Sequence, residues 1–132
     1  MGKRSTSRRV AMQALYQAEY GGIDIKESLK NIFEQEKLID EAMEFSTSLA
    51  EGAYKQKDEI DLIIKKYLKD WKIGRMAGVD LNILRLAFYE LIYTQTPLQI
   101  VINEAVEMAK KYSTLEAAKF INGILGAYKK EA

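Results

Sequence analysis

Four cations crowd the first nine residues. Lys3, Arg4, Arg8 and Arg9 all precede the first acid, Glu19, and Ser5, Thr6 and Ser7 stand among them. Guanidinium and ammonium groups interleaved with hydroxyl donors are suited to phosphate oxygens, so the chemistry on offer is capture of a polyanion, nucleic acid first. The same charges also fit a solubilising tail. The rest of the chain does not share the bias: the whole carries 20 Lys+Arg against 19 Asp+Glu, while residues 19–132 alone carry a net −3. A second basic group, Lys110, Lys111, Lys119, Lys129 and Lys130, lies near the other end. If the last helix packs near the first, the two groups form one continuous basic face. Arg4, Arg8 and Gln13 would then lie on a surface turned away from Ala11 and Ala14. A single RNA strand would also want an exposed ring for stacking. Tyr16, Tyr67, Tyr112 and Phe120 are available, though each also falls at the spacing of core residues.

Other chemistries lack their groups. The chain has no Cys and no His, which removes thiolate chemistry, the commonest general base and the commonest transition-metal ligand. Asp58/Asp61 and Glu104/Glu107 are carboxylate pairs at helical spacing, but helical di-metal sites also need Glu-x-x-His, so these read as solvated or capping acids. Neither GxGxxG nor GxxxxGKS is present. A hydrolase would need a Ser–Lys or carboxylate mechanism, and no spacing points to one. No enzyme activity, cofactor or metal is expected. Arg85 and Glu90 interrupt the most apolar stretch, where an unpaired charge is rarely tolerated. They predict an internal ion pair or hydrogen-bonded network, with Asn103 or Glu104 as partners.

The elements that must position these groups are helices. There is one Pro, at position 97, and 48% hydrophobic content with 30% charged residues fits a folded all-α chain of one domain. The first helix is expected from a Ser5 or Ser7 cap to about Tyr20, ended by Gly21 and Gly22. Asp24 caps a short second helix, and a third runs from Leu38 for about four turns. Residues 57–70 form a fourth, Arg75–Ala77 a single turn, Val79–Tyr93 a buried central helix and Ile100–Tyr112 a sixth. Ser113-Thr-Leu-Glu116 reads as a capping box opening the last. Trp71 is expected to close one end of a bundle. The acids are uneven: residues 19–56 carry a net −5 and residues 57–132 a net +2. One domain, 1–132, with helical halves 1–56 and 57–132 is expected. No uncharged apolar run approaches the roughly 20 residues of a bilayer span, so no membrane contact and a cytoplasmic location are expected.

Four blocks carry a resemblance to a known family. They are Arg8-Arg9-x-Ala-x-Gln-x-Leu-Tyr16, Val79-Asp80-x-x-Ile-Leu-Arg85-x-Ala-x-Tyr-Glu90-Leu with Pro97 following, Ile102-Asn-Glu-Ala105-x-x-x-Ala-Lys110, and Lys119-Phe-Ile-Asn-Gly123-x-Leu. In this order and spacing the chain resembles the NusB family of bacterial transcription antitermination factors. The resemblance implies two small packed helical bundles, no catalysis, and binding of single-stranded boxA RNA together with NusE, a small-subunit ribosomal protein, in the RNA polymerase antitermination complex. It implies RNA contacts at Arg4 and Arg8, with Glu116, Lys119 and Phe120 bordering the same RNA surface; Lys3, Arg9 and Gln13 are read from their place on the arm as accessory groups. Tyr67 is similar to an RNA-proximal tyrosine. Tyr16 and Asp80 are similar to residues facing the protein partner, which the acidic second and third helices would help attract. A NusB-like domain also precedes some ribosomal RNA cytosine methyltransferases. With the chain ending at Ala132, a free-standing factor is expected. The alternative is a non-catalytic protein-interaction scaffold, for instance a homodimer with its basic face masked.

Overall fold

The computed structural model describes residues 3–69 and 72–132. The expectation for Trp71 and the side chain of Lys3 lie outside what it describes. Seven α-helices follow in order: α1 (Lys3–Gly21), α2 (Ile25–Gln35), α3 (Asp40–Lys55), α4 (Lys57–Tyr67), α5 (Gly78–Tyr93), α6 (Leu98–Tyr112) and α7 (Leu115–Glu131). A 3-10 turn, Ile73–Arg75, precedes α5, two residues earlier than expected. Among the described residues there is no strand, and the fold is all-α.

Local signals fix most boundaries. Gly22 has φ +63°, the left-handed conformation that favours glycine, and ends α1. The Asp24 carboxylate accepts from the Lys26 amide at 3.0 Å and caps α2. Two expectations shift. Helix α1 begins by Lys3, before either serine, so the basic arm is helical and not a tail. Helix α7 is capped by Thr114, whose hydroxyl accepts from the Ala117 amide at 2.9 Å. With Thr114 as the cap, Glu116 sits one position too early to close a capping box, and Ser113 instead ends α6.

Helix α5 is the axis. Every residue from Leu81 to Phe88 is buried, and α1, α3, α4, α6 and α7 all pack against it. One continuous apolar cluster draws on all seven helices, from Val10 and Leu15 through Leu49, Ile60 and Phe88 to Val101 and Ile121. Each such side chain contributes about 1.5–3 kcal/mol when taken from water. Helices α1–α3 form one bundle and α4–α7 surround the other side of α5. Gln56 is at once the C-cap of α3 and the N-cap of α4.

At one point α3 and α5 approach too closely for a side chain. The Tyr89 ring lies over Gly52 in the space that a Cβ would fill. In an open helical position such as Gly123, where nothing lies near a Cβ, glycine to alanine gains about 1 kcal/mol. Gly123→Ala is therefore expected to raise the melting temperature. Gly52→Ala is expected to cost about 1–2 kcal/mol through overpacking, and Tyr89→Ala in the same chain should remove that penalty. Thermal unfolding of the three variants checks this.

Candidate nucleic-acid interface

The charges within the helices divide into those used inside and those left outside. Arg8 is inside. It is only 5% exposed, and its guanidinium forks onto Glu90 of α5, with Nε to Oε1 at 2.6 Å and Nη2 to Oε2 at 2.9 Å. A third bond runs from Nη1 to Glu104 of α6 at 3.1 Å. This corrects the expectation of a surface Arg8: the side chain is buried and three of its five N–H groups are bonded to acids of the protein. Burial pulls the group toward neutrality, but the bonds and charge of Glu90, then Glu104, hold its pKa above the ordinary arginine value.

Arg85 repeats the arrangement from the other side. It forks onto Asp61 of α4 at 2.8 and 2.9 Å and donates to Glu19 of α1 at 2.7 Å. The Asn82 side chain joins both, donating to Glu19 at 3.1 Å and accepting from Arg85 at 3.2 Å. The internal network expected for Arg85 and Glu90 is thus two networks. Glu104 takes part in one; Asn103 is exposed and accepts from Gln99 instead. Asp61, expected to be solvated or capping, is an ion-pair partner. Burial works to raise the Glu19 carboxyl, but the Arg85 and Asn82 bonds win and hold it below the usual range.

Among the described side chains of the arm, Arg4 is the exposed cation. Its guanidinium lies 4.0 Å from the centroid of the Phe45 ring of α3, a cation–π contact that fixes its direction. Arg9 is half-buried and forked onto Glu36, with Nη1 to Oε2 at 2.8 Å, and it also donates to Gln13 at 3.1 Å. Gln13 therefore faces Arg9, not solvent alone. The Glu36 bonds outweigh the cost of burial and, with a smaller help from its charge, hold Arg9 above the ordinary value.

The expected merger of the two basic groups takes a different route. Helix α7 packs chiefly on α6, and it is α6 that meets the start of α1. A groove of about 200 Å³ lies between them, lined by Ser5, Thr6, Arg9, Glu104, Met108 and Tyr112 among others. Lys110 and Lys111 are exposed at this end of α6, and Lys110 reaches Glu107 at 3.2 Å.

A second groove, of about 350 Å³, lies where α7 begins and α5 begins. Its walls include Arg75, Asp80, Thr114, Glu116 and Phe120. The structure thus brings Asp80 together with Glu116 and Phe120, which the sequence had assigned to different partners. Lys119 is exposed on the same helix. Tyr16 is exposed and packs on Tyr20 with centroids 4.8 Å apart; both rings lie over Gly78, whose missing side chain leaves them room. Tyr67 is half-buried against Phe88 and Tyr128, and its hydroxyl donates to Glu131 at 2.5 Å. That bond pushes the Tyr67 hydroxyl up to about 12. Phe45 under Arg4, Glu36 on Arg9 and Arg75 in the second groove were not identified from sequence. Each acts across helices, and spacing along one helix carries no signal for that.

The family model of the NusB family matches residues 5–130. The transcription antitermination protein NusB of Acetivibrio thermocellus is 44% identical over 96% of this chain and 87% of its own. That of Bacillus subtilis is 38% identical over 98% and 96%. Among solved structures, the antitermination factors NusB and NusE in complex with double-stranded RNA include a chain 33% identical, with TM-score 0.90, over 100% of this chain and 99% of that one. NusB of T. maritima matches with TM-score 0.90 and 34% identity over 99% and 92%.

Two outcomes follow from the buried arginines. Arg8→Ala leaves Glu90 charged and unpaired, and is expected to cost about 3–5 kcal/mol in denaturant unfolding. Arg8→Met with Glu90→Leu should recover most of it. For Glu19, the folded carboxyl ionises at lower pH than the unfolded one. Its contribution is therefore full above the ordinary carboxylate pKa, about 4.3, and drains away as the pH falls through the depressed value. Glu19→Gln should flatten the loss of stability below about pH 5; an unchanged acid limb would contradict the geometry.

Proposed function

The chain belongs to the NusB family of transcription antitermination proteins, and from that premise we propose a non-catalytic adaptor that holds boxA RNA of nascent ribosomal RNA transcripts together with the ribosomal protein NusE. The observation that carries the reading is the end-to-end likeness to a NusB chain seen with NusE and RNA. The charges support it. Arg4 stands at the arm with its direction fixed by Phe45, and the exposed Lys110, Lys111 and Lys119 add cations along α6 and α7. These supply phosphate contacts, which position a strand without reading it. Arg9 and Gln13 are accessory, since their polar groups already meet Glu36 and each other.

The protein partner is assigned to the end of α1 and the start of α5. Tyr16 and Tyr20 offer exposed ring area there, and Asp80 Oδ1 is buried with no hydrogen-bond partner among the described residues. Such an oxygen is costly to leave unmade, and a donor from a basic partner would satisfy it. Phe120 and Glu116 share the groove with Asp80, so RNA and partner protein would meet there. The chain is read as one unit, residues 1–132, acting in the cytoplasm. Among the described residues no helix is long and apolar enough to cross a membrane.

With about four phosphate contacts, log affinity for single-stranded RNA against log salt should have a slope of roughly −3. Arg4→Ala should reduce that slope by about 0.7 and leave NusE binding unchanged, measured by fluorescence anisotropy and calorimetry. A flat salt response, or equal loss of both partners, would overturn the assignment.

A further inference from the structure

The groove between α1 and α6 carries mixed charge. Glu104 lies on its wall and Glu107 at its edge, beside Ser5, Thr6, Met108 and Tyr112. Of the cations that line it, Arg8 is engaged by Glu90 and Glu104 and Arg9 by Glu36, while the Lys111 ammonium stands 5.6 Å from the Tyr112 ring centroid. A backbone phosphate would find a cation only at the Lys111 side and the fixed Glu104 carboxylate deeper in.

What the groove does offer is a place for a base. Met108 gives an apolar floor and is buried. The Tyr112 ring stands half-open at the end of α6 and can stack. Glu104 is held in place from two sides, since Ser5 Oγ donates to its Oε1 at 2.7 Å and Arg8 Nη1 donates to the same oxygen at 3.1 Å. Its Oε2 takes no hydrogen bond among the described residues. A carboxylate accepts only, and a fixed one selects a ligand with N–H groups to give. Of the four RNA bases, guanine alone presents two adjacent N–H donors, N1–H and N2–H, on its Watson–Crick edge.

We propose that the α1–α6 groove is a base-reading pocket that takes one unpaired guanine of a bound strand, with Glu104 accepting from its Watson–Crick edge and Tyr112 stacking on its face. This rests on the RNA-binding reading above and adds sequence selectivity to it. Arg4 and Lys111 at the rim would hold the flanking phosphates.

The test uses the full chain and ten-nucleotide oligouridylates, either plain or with one central guanosine, inosine or 7-deazaguanosine. The wild type should bind the guanosine strand roughly tenfold more tightly than the plain one. Inosine, which lacks N2–H, should lose most of that preference, and 7-deazaguanosine, which keeps the whole Watson–Crick edge, should retain it. The ratio should stay constant while both affinities fall with salt. Glu104→Gln should abolish the preference and slightly strengthen binding of the plain strand. Tyr112→Leu, outside the Arg8 network, should weaken the guanosine strand and spare the plain one. Equal affinities for all strands in the wild type, loss of preference with 7-deazaguanosine, or parallel losses in both variants would overturn the pocket and leave general RNA binding standing. No binding of any strand would overturn the RNA reading itself.

Discussion

Helices α1 and α5 are locked antiparallel by two arginines that point in opposite directions, and every surface of the protein is set by that lock. Arg8 reaches from α1 to Glu90 near the end of α5; Arg85 reaches from α5 back to Glu19 near the end of α1. Each then recruits one more helix, α6 through Glu104 and α4 through Asp61. Apolar packing alone tolerates sliding, because one leucine contact resembles the next. A slip of α1 by one turn here would leave two guanidinium groups and their carboxylates unpaired in the core, each at a cost of several kcal/mol. Net stability gained by such pairs is small, and what they supply is a single register.

That lock reassigns the charge of the arm. A count of cations near the start of the chain overstates what a polyanion can meet, because Arg8 neutralises acids of the interior and Arg9 is tied to the loop after α2 through Glu36. Among the described side chains of the arm Arg4 is left, aimed by Phe45. The acids are similarly divided. Glu90 and Asp61 belong to the fold, while Glu104 belongs to the fold through one oxygen and faces a groove with the rest of its carboxylate. The electrostatic character of the α1–α6 face is therefore mixed, a discriminating surface more than an attractive one.

Much of this was legible from the residues. The seven helices follow from apolar spacing and from Asp24, Gly22 and Pro97. Arg85 and Glu90 announced internal pairing because they break an otherwise apolar run. Arg8 did not, because its neighbours Ser7 and Arg9 are polar and the local pattern looks like surface. Its partner lies 82 residues away, and no periodicity reports a contact at that range. The cap of α7 is Thr114 and not Ser113 because both residue types can cap, Ser113 has the Glu at box spacing, and only the backbone path decides between them. The joining of Asp80 to Glu116 and Phe120 depends on how α7 docks beside α5, which only tertiary packing determines.

Helix α1 is a continuous rod with Arg4 near one end and Tyr16 near the other. At 1.5 Å per residue these lie roughly 18 Å apart along its axis. No hinge lies between them, and ion pairs pin the rod near both ends. Two ligands seated on those ends are held at a fixed separation, so once one has landed the other searches a confined volume instead of free solution. If the two ligands can also touch each other, the rod converts two modest affinities into one cooperative assembly without any change of shape, and its length becomes the quantity that decides which pairs of ligands qualify.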